Sequence, residues 1–67
     1  MIGHKDYRQV IRHKREKLGW SQYRLAKEAG IAQSYMNEIE KGKKDPSLEV
    51  FFRLCGVLDI QLFPDEP

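Results

Sequence analysis

Gly30 and Gly42 each close a short run in which apolar residues recur at helical spacing. In the first run Ser21 is a good N-cap, because its hydroxyl can accept from the backbone N–H groups of the next turn. Leu25, Ala26 and Ala29 follow as one apolar stripe. Gly30 falls where a helix ends in the left-handed conformation that glycine adopts cheaply. The second run begins near Gln33, turns Met36 and Ile39 inward, and stops before Gly42. A helix, a turn of three or four residues with glycine, and a second helix make a helix-turn-helix arrangement. The small side chains of Ala26 and Ala29 suit two helices that cross at close range.

Sixty-seven residues make a single domain, 1–67, near the lower limit for folding without a metal or disulfide. The single Cys55 excludes an internal disulfide, and no Cys/His grouping has zinc spacing, so no metal site is expected. The chain has no apolar run of transmembrane length, and its polar start does not look like a signal peptide. A free, buried cysteine fits a reducing compartment, and the expected location is the cytoplasm. His4 and His13 lack a nucleophile or carboxylate constellation, and a small helical domain has little room for a pocket. No catalytic residue, no cofactor and no enzymatic activity are expected. The net charge of +2 says less than its distribution. Residues 4–27 hold eight Lys/Arg against two acids, residues 28–44 three against three, and residues 45–67 one against five. A basic end beside the helix-turn-helix suits a polyanion approached from one side, although a solvated charged face is the plainer alternative.

Asp6 followed by Gln9 makes a capping box for a first helix over about 7–18, with Tyr7, Val10, Ile11 and Leu18 on one face. Arg8, Arg12, Lys14, Arg15 and Lys17 are expected to stay largely solvated. Trp20, just before the Ser21 cap, reads as a core staple rather than a stacking surface for bases. Helices over about 22–29 and 33–41 follow. Ala32 is a weak start for the third, since alanine at an N-cap costs roughly 1 kcal/mol. The turn Gly42-Lys43-Lys44-Asp45-Pro46 is basic and ended by proline. Ser47 then caps a helix over about 48–58, with Leu48, Phe51, Cys55 and Leu58 on one face and Gly56 as a cost of about 1 kcal/mol. Leu58, Ile60 and Leu62 alternate with Asp59, Gln61 and Phe63, which predicts a short strand over about 59–63. A lone strand leaves its backbone groups unpaired. Pairing through Leu58, Ile60, Leu62 and Phe63 with a second copy would satisfy them in a two-fold dimer, the alternative being an irregular tail packed on the helices.

The chain resembles the lambda-repressor/Cro-like (XRE) helix-turn-helix family over about Val10 to Ile60. The resemblance rests on Arg15, Gly19-Trp20-Ser21-Gln22, Leu25-Ala26, Gly30-Ile31, Met36, Ile39-Glu40-Lys41-Gly42 and Pro46-Ser47-Leu48. Residues Ser47 to Leu54 and Leu58 to Leu62 are also similar to HipB-type antitoxins, XRE regulators that dimerise through a C-terminal strand and bind a HipA-like kinase toxin. The chain departs from the general family at Ala32, where a hydroxyl cap is usual, and in lacking a fifth helix. The fold implied is all-α, four helices of the lambda-repressor-like type with a short C-terminal β-strand.

The resemblance implies a sequence-specific regulator of transcription, a repressor, whose third helix lies in the major groove of a double-stranded DNA operator. A helical wheel turns Ser34, Asn37, Glu38 and Lys41 outward with Gln33 at the leading end. Gln or Asn can pair with adenine N6/N7, and Glu can accept from cytosine N4. The family's base-reading positions match Gln33, Ser34, Asn37 and Glu38. Ser21 and Gln22 stand at the start of the second helix, where free N–H groups favour a phosphate. Tyr35, Lys41, Lys43 and Lys44 are the other expected phosphate contacts. Arg15 and Glu40 match a pair that joins helices 1 and 3 in related repressors. The expected partners are a palindromic operator and a second copy of the chain. The alternative is an antitoxin that holds a kinase toxin and regulates its own operon.

Overall fold

The four stretches with helical periodicity are four helices in the computed structural model, which describes residues 7–60. They are α1 (Tyr7–Lys17), α2 (Gln22–Ala29), α3 (Gln33–Lys41) and α4 (Leu48–Leu58). Among the described residues there is no strand, and no helix is long and apolar enough to cross a membrane. Asp6, and with it the expected capping box, lies outside the described residues, as do residues 61–63 of the expected strand.

The two serine caps form as their positions suggest. Ser21 Oγ accepts from the Arg24 N–H at 3.0 Å, and Ser47 Oγ accepts from the Val50 N–H at 3.2 Å. Ala32 holds the same extended backbone at the start of α3 and offers no side-chain acceptor. The third helix therefore begins without one of the hydrogen bonds that hold its neighbours.

Both α1 and α2 pack on α3 and α4, so each element meets the core from one side. Ile11, Leu25, Ala26, Ala29, Met36, Ile39, Leu54 and Leu58 form that core, and Cys55 is buried beside it. Burial alone pushes the Cys55 thiol above its usual pKa. Partly buried Tyr7, Trp20, Ile31, Tyr35, Val50, Val57 and Ile60 pack around the core. Two expected core positions are not buried. Leu48 is 68% exposed, because it is the first residue after the Ser47 cap and projects beyond the packed length of α4. The buried stripe of α4 is instead Leu54, Cys55 and Leu58, with Phe51 half-buried and edge-on to Tyr7 at 5.7 Å. Leu18 lies past the last residue of α1 and is 50% exposed.

All four helices end in the same hydrogen-bonded motif, which corrects the start of the expected strand. A residue with positive φ follows each helix: Gly19, Gly30, Gly42 and Asp59. The N–H after it reaches back to a carbonyl of the last turn: Trp20 to Arg15, Ile31 to Ala26, Lys43 to Glu38 and Ile60 to Cys55, at 2.9–3.0 Å. This is the Schellman arrangement, in which the residue past the left-handed one often packs an apolar side chain back on the helix. At Gly30 and Gly42 the left-handed backbone, φ 73° and 81°, explains the glycine. At the end of α4 the same conformation is held by Asp59, φ 57°, one of the few non-glycine residues that visit it readily. Leu58 is therefore helical and buried, Asp59 is a cap, and Ile60 is the apolar residue that folds back onto the core. The alternation of Leu58 and Ile60 is the signature of a helix end, not of a strand.

Two substitutions and one labelling experiment test this packing. A Cβ added at Gly56, in the helical interior of α4, would meet nothing within 4 Å. Gly56→Ala should raise the unfolding free energy by about 1 kcal/mol, and Ala32→Ser by roughly another 1 kcal/mol, both read by urea denaturation. Their effects should add, since the sites share no partner. Cys55 should react with iodoacetamide only as fast as the domain opens, and unmasking by urea should follow the circular dichroism transition.

Candidate nucleic-acid interface

Ser21 to Gly42 builds one polar surface on top of a small apolar contact. Ala26 and Ala29 of α2 are buried with Met36 and Ile39 of α3, so the helices meet through small side chains on one side and full-sized ones on the other. The opposite side of α3 carries the expected readers. Gln33 and Ser34 are exposed at its leading end, while Asn37 and Glu38 are half-buried one turn later. The N–H groups of Gln22 and Tyr23, the first two of α2, have no partner inside that helix.

The most buried polar feature joins the two helices to α1. Arg15 of α1 meets Glu40 of α3 through a two-pronged ion pair, Nε to Oε2 at 2.8 Å and Nη2 to Oε1 at 3.1 Å. Their side chains are 11% and 5% exposed. Arg15 Nη1 also donates to the Trp20 carbonyl at 2.8 Å, which ties down the turn between α1 and α2. Glu40 Oε1 accepts a further bond from Gln22 Nε2 at 3.0 Å, and Gln22 Oε1 accepts from Asn37 Nδ2 at 2.9 Å. An unbroken chain of hydrogen bonds thus runs from Arg15 through Glu40 and Gln22 to Asn37. The expected Arg15–Glu40 pair is present and buries Arg15, against the expectation that it stays largely solvated, and Gln22 and Asn37, read separately from the sequence, are joined. Asn37 and Glu40 are three residues apart and so share a helix face. That spacing, opposite the start of α2, was the available signal for the link.

The remaining expected residues are placed as follows. Glu38 faces Lys44 at 3.5 Å, with Lys44 exposed and Glu38 partly so, a pair worth at most about 1 kcal/mol and easily parted. Lys41 and Lys43 are exposed at the end of α3 and in the turn after it. Tyr35 leans the other way, its hydroxyl accepting from the Ser47 N–H at 3.3 Å, which leaves its own proton to donate. Ser21 Oγ is occupied as a cap acceptor and likewise keeps its proton.

Arg8 is a residue the sequence reading misplaced. Expected to be solvated, it has a side chain only 21% exposed. Its Nε donates to the Ile39 carbonyl at 2.9 Å, and its Nη2 pairs with Asp45. A cation at the last carbonyls of a helix satisfies orphan acceptors and complements the negative end of the dipole. Tyr7 donates to the same Asp45 at 2.9 Å, and burial together with that hydrogen bond holds its phenol above the usual pKa. The end of α3 and the turn beyond it are thus clamped to α1. No local sequence pattern announces a contact spanning 31 residues.

A helix-turn-helix family model matches residues 11–63. The chain is 34% identical over 55 residues to the HTH-type transcriptional regulator SinR of Bacillus subtilis, covering 81% of this chain and 50% of that protein. It is 39% identical over 57 residues to an HTH-type transcriptional regulatory protein of Saccharolobus islandicus, covering 85% of this chain and 17% of the other. The chain therefore spans half the length of SinR and a small part of the second relative. On the match across most of its length, and on the glycine-closed α2–α3 unit, this chain belongs to the lambda-repressor/Cro-like (XRE) helix-turn-helix family.

Proposed function

We propose that the chain is the sequence-specific, double-stranded DNA-binding unit of a transcriptional regulator, acting in the cytoplasm as a repressor. The observation that carries this reading is the outward face of α3. Four residues able to address base edges, Gln33, Ser34, Asn37 and Glu38, stand on a helix whose other face is locked into the core by Met36 and Ile39. Helix 3 would enter the major groove with Gln33 leading, and the start of α2 would rest on the backbone. Phosphates would be met by the free N–H groups of Gln22 and Tyr23, by the side chains of Ser21 and Gln22, by Tyr35, and by Lys41, Lys43 and Lys44. Glu38 would exchange Lys44 for a cytosine amine while Lys44 turns to a phosphate. The similarity to regulators that share this domain supports the reading.

A single half-site gives modest affinity, so a palindromic operator read by two copies is part of the proposal. Leu62 and Phe63 are the proposed contact between copies, with Ile60 holding the start of that segment against its own core.

Selection of bound duplexes from a random pool should return a two-fold symmetric sequence with half-sites about 10 base pairs apart or a multiple of that. A pool with no enrichment would overturn the reading. Affinity should fall with salt at a log–log slope of about −3 per subunit if the three lysines each neutralise a phosphate. Gln33→Ala should cost about 1–3 kcal/mol at one or two base pairs and leave others alone. Lys43→Ala should weaken every duplex alike and reduce the slope by about 1. Both changes are read by anisotropy titration.

A further inference from the structure

The chain of hydrogen bonds ending at Asn37 has a direction, and Glu40 sets it. A carboxylate facing a guanidinium only accepts, so the Gln22 atom that meets Glu40 Oε1 must be its NH2 group. Gln22 then turns its carbonyl oxygen to Asn37, and the Asn37 atom facing it must in turn be the NH2 group. Reversing the Asn37 amide alone would put two carbonyl oxygens face to face. Reversing both amides would put Gln22 Oε1 against the Glu40 carboxylate. Neither reversal has a hydrogen to share.

We propose that Glu40 is a positioning residue for base readout, fixing through Gln22 which way the Asn37 amide faces before DNA arrives. This rests on the reading of α3 as the DNA-contacting helix. In the orientation set, Asn37 gives one N–H to Gln22 and keeps a second, and its Oδ1 accepts no hydrogen bond among the described residues. A free acceptor beside a free donor matches the N6 amine and N7 of adenine. The reversed amide would offer two N–H groups where guanine presents two acceptors, O6 and N7. Glu40, which touches no base in this arrangement, thereby favours adenine over guanine at the position Asn37 reads. Helix 3 and the start of α2 are read as one unit, because the residue resting on the backbone is also the one that orients the reader.

The test uses the full chain and the duplex recovered by selection, with anisotropy titrations on that duplex and on every single-base-pair variant of it. Asn37→Ala identifies the base pair that Asn37 reads as the one where preference is lost. Wild type should prefer adenine over guanine there by about tenfold or more. Gln22→Leu keeps the Arg15–Glu40 pair and removes the link. It should weaken all duplexes through its lost phosphate contact and, beyond that uniform loss, bring the adenine preference at this one pair to within about twofold of unity. Glu40→Gln, an isosteric change that lets the amide chain run either way, should do the same at that pair while leaving the preference set by Gln33 intact. The double variant Gln22→Leu/Asn37→Ala should lose no more discrimination at the pair than Asn37→Ala alone. A merely structural role for Glu40 would blur preference at every position together. Retention of the adenine preference by Gln22→Leu, or an Asn37→Ala profile unchanged at every pair, overturns the relay while leaving DNA binding in place. Failure of the wild-type chain to prefer any duplex overturns both. Should Glu40→Gln show no cooperative thermal transition, Gln22→Leu decides the matter, and Gln22→Met repeats it with an unbranched side chain.

Discussion

The ion pair between Arg15 and Glu40 holds the arrangement on which the rest of this domain depends. It lies between the first and third helices with almost no exposure, and it is anchored at a third point through the Trp20 carbonyl. A buried pair of this kind recovers little net stability over a well-packed apolar replacement, because both charges lose their hydration. What it adds is geometry. A guanidinium fork meets a carboxylate in one plane at one distance, so the rotation of α3 about its own axis is fixed where apolar contacts alone would tolerate slippage. Removing either partner would strand a charge, at a cost of about 3–5 kcal/mol, a large part of what a domain of this size can hold in reserve. Arg8 does similar work beside it, through the Ile39 carbonyl in the last turn of α3 and Asp45 in the turn that follows. Between them the two arginines of α1 hold the last turn of α3 and the turn beyond it.

That division of labour lets α3 be a poor helix on its own terms. It has nine residues, no side-chain cap at Ala32, and only two fully buried side chains. Its persistence comes from tertiary contacts, as for most short helices in proteins. The leading turn is left without a side-chain acceptor on its N–H groups, beside the exposed Gln33 and Ser34. A cap that stabilised the free domain would occupy donors that the proposed readout leaves open.

Much of this was legible in the sequence, and the failures share a cause. Helix starts at Ser21 and Ser47 and ends at Gly30 and Gly42 are written in residue types with strong local preferences, so they were readable. The inward face of α3 followed from the spacing of Met36 and Ile39. The end of α4 was misread because Asp59, not glycine, holds the left-handed position, and Leu58-Asp59-Ile60 then mimics the alternation of a strand. Leu48 and Leu18 were misjudged because periodicity says which way a side chain faces and not whether the neighbouring helix reaches that far. Arg8 was invisible and the Gln22–Asn37 link was signalled only by the shared face of Asn37 and Glu40, for a different reason. They are contacts across 31 and 15 residues between polar side chains, and nothing local distinguishes them from solvated ones.

The basic residues sort themselves by chemistry in a way that the charge count conceals. Every arginine among the described residues pairs with a carboxylate: Arg8 with Asp45, Arg12 with Glu16, Arg15 with Glu40, Arg24 with Glu28 and Arg53 with Glu49. Among the lysines described, only Lys44 has such a partner. The planar guanidinium suits fixed, two-pronged contacts inside the fold, whereas the ammonium is a strongly hydrated point charge on a flexible stem. Of the positive charge in the first 27 residues, Arg8 and Arg15 are thus taken up in holding helices together, and Arg12 and Arg24 are paired within their own helices. The field that a polyanion would meet is set by the unpaired lysines, of which Lys41 and Lys43 stand at the end of the proposed reading helix. Arg8 and Arg15 fix where α3 points, and lysine supplies the attraction that would bring a phosphate backbone to it.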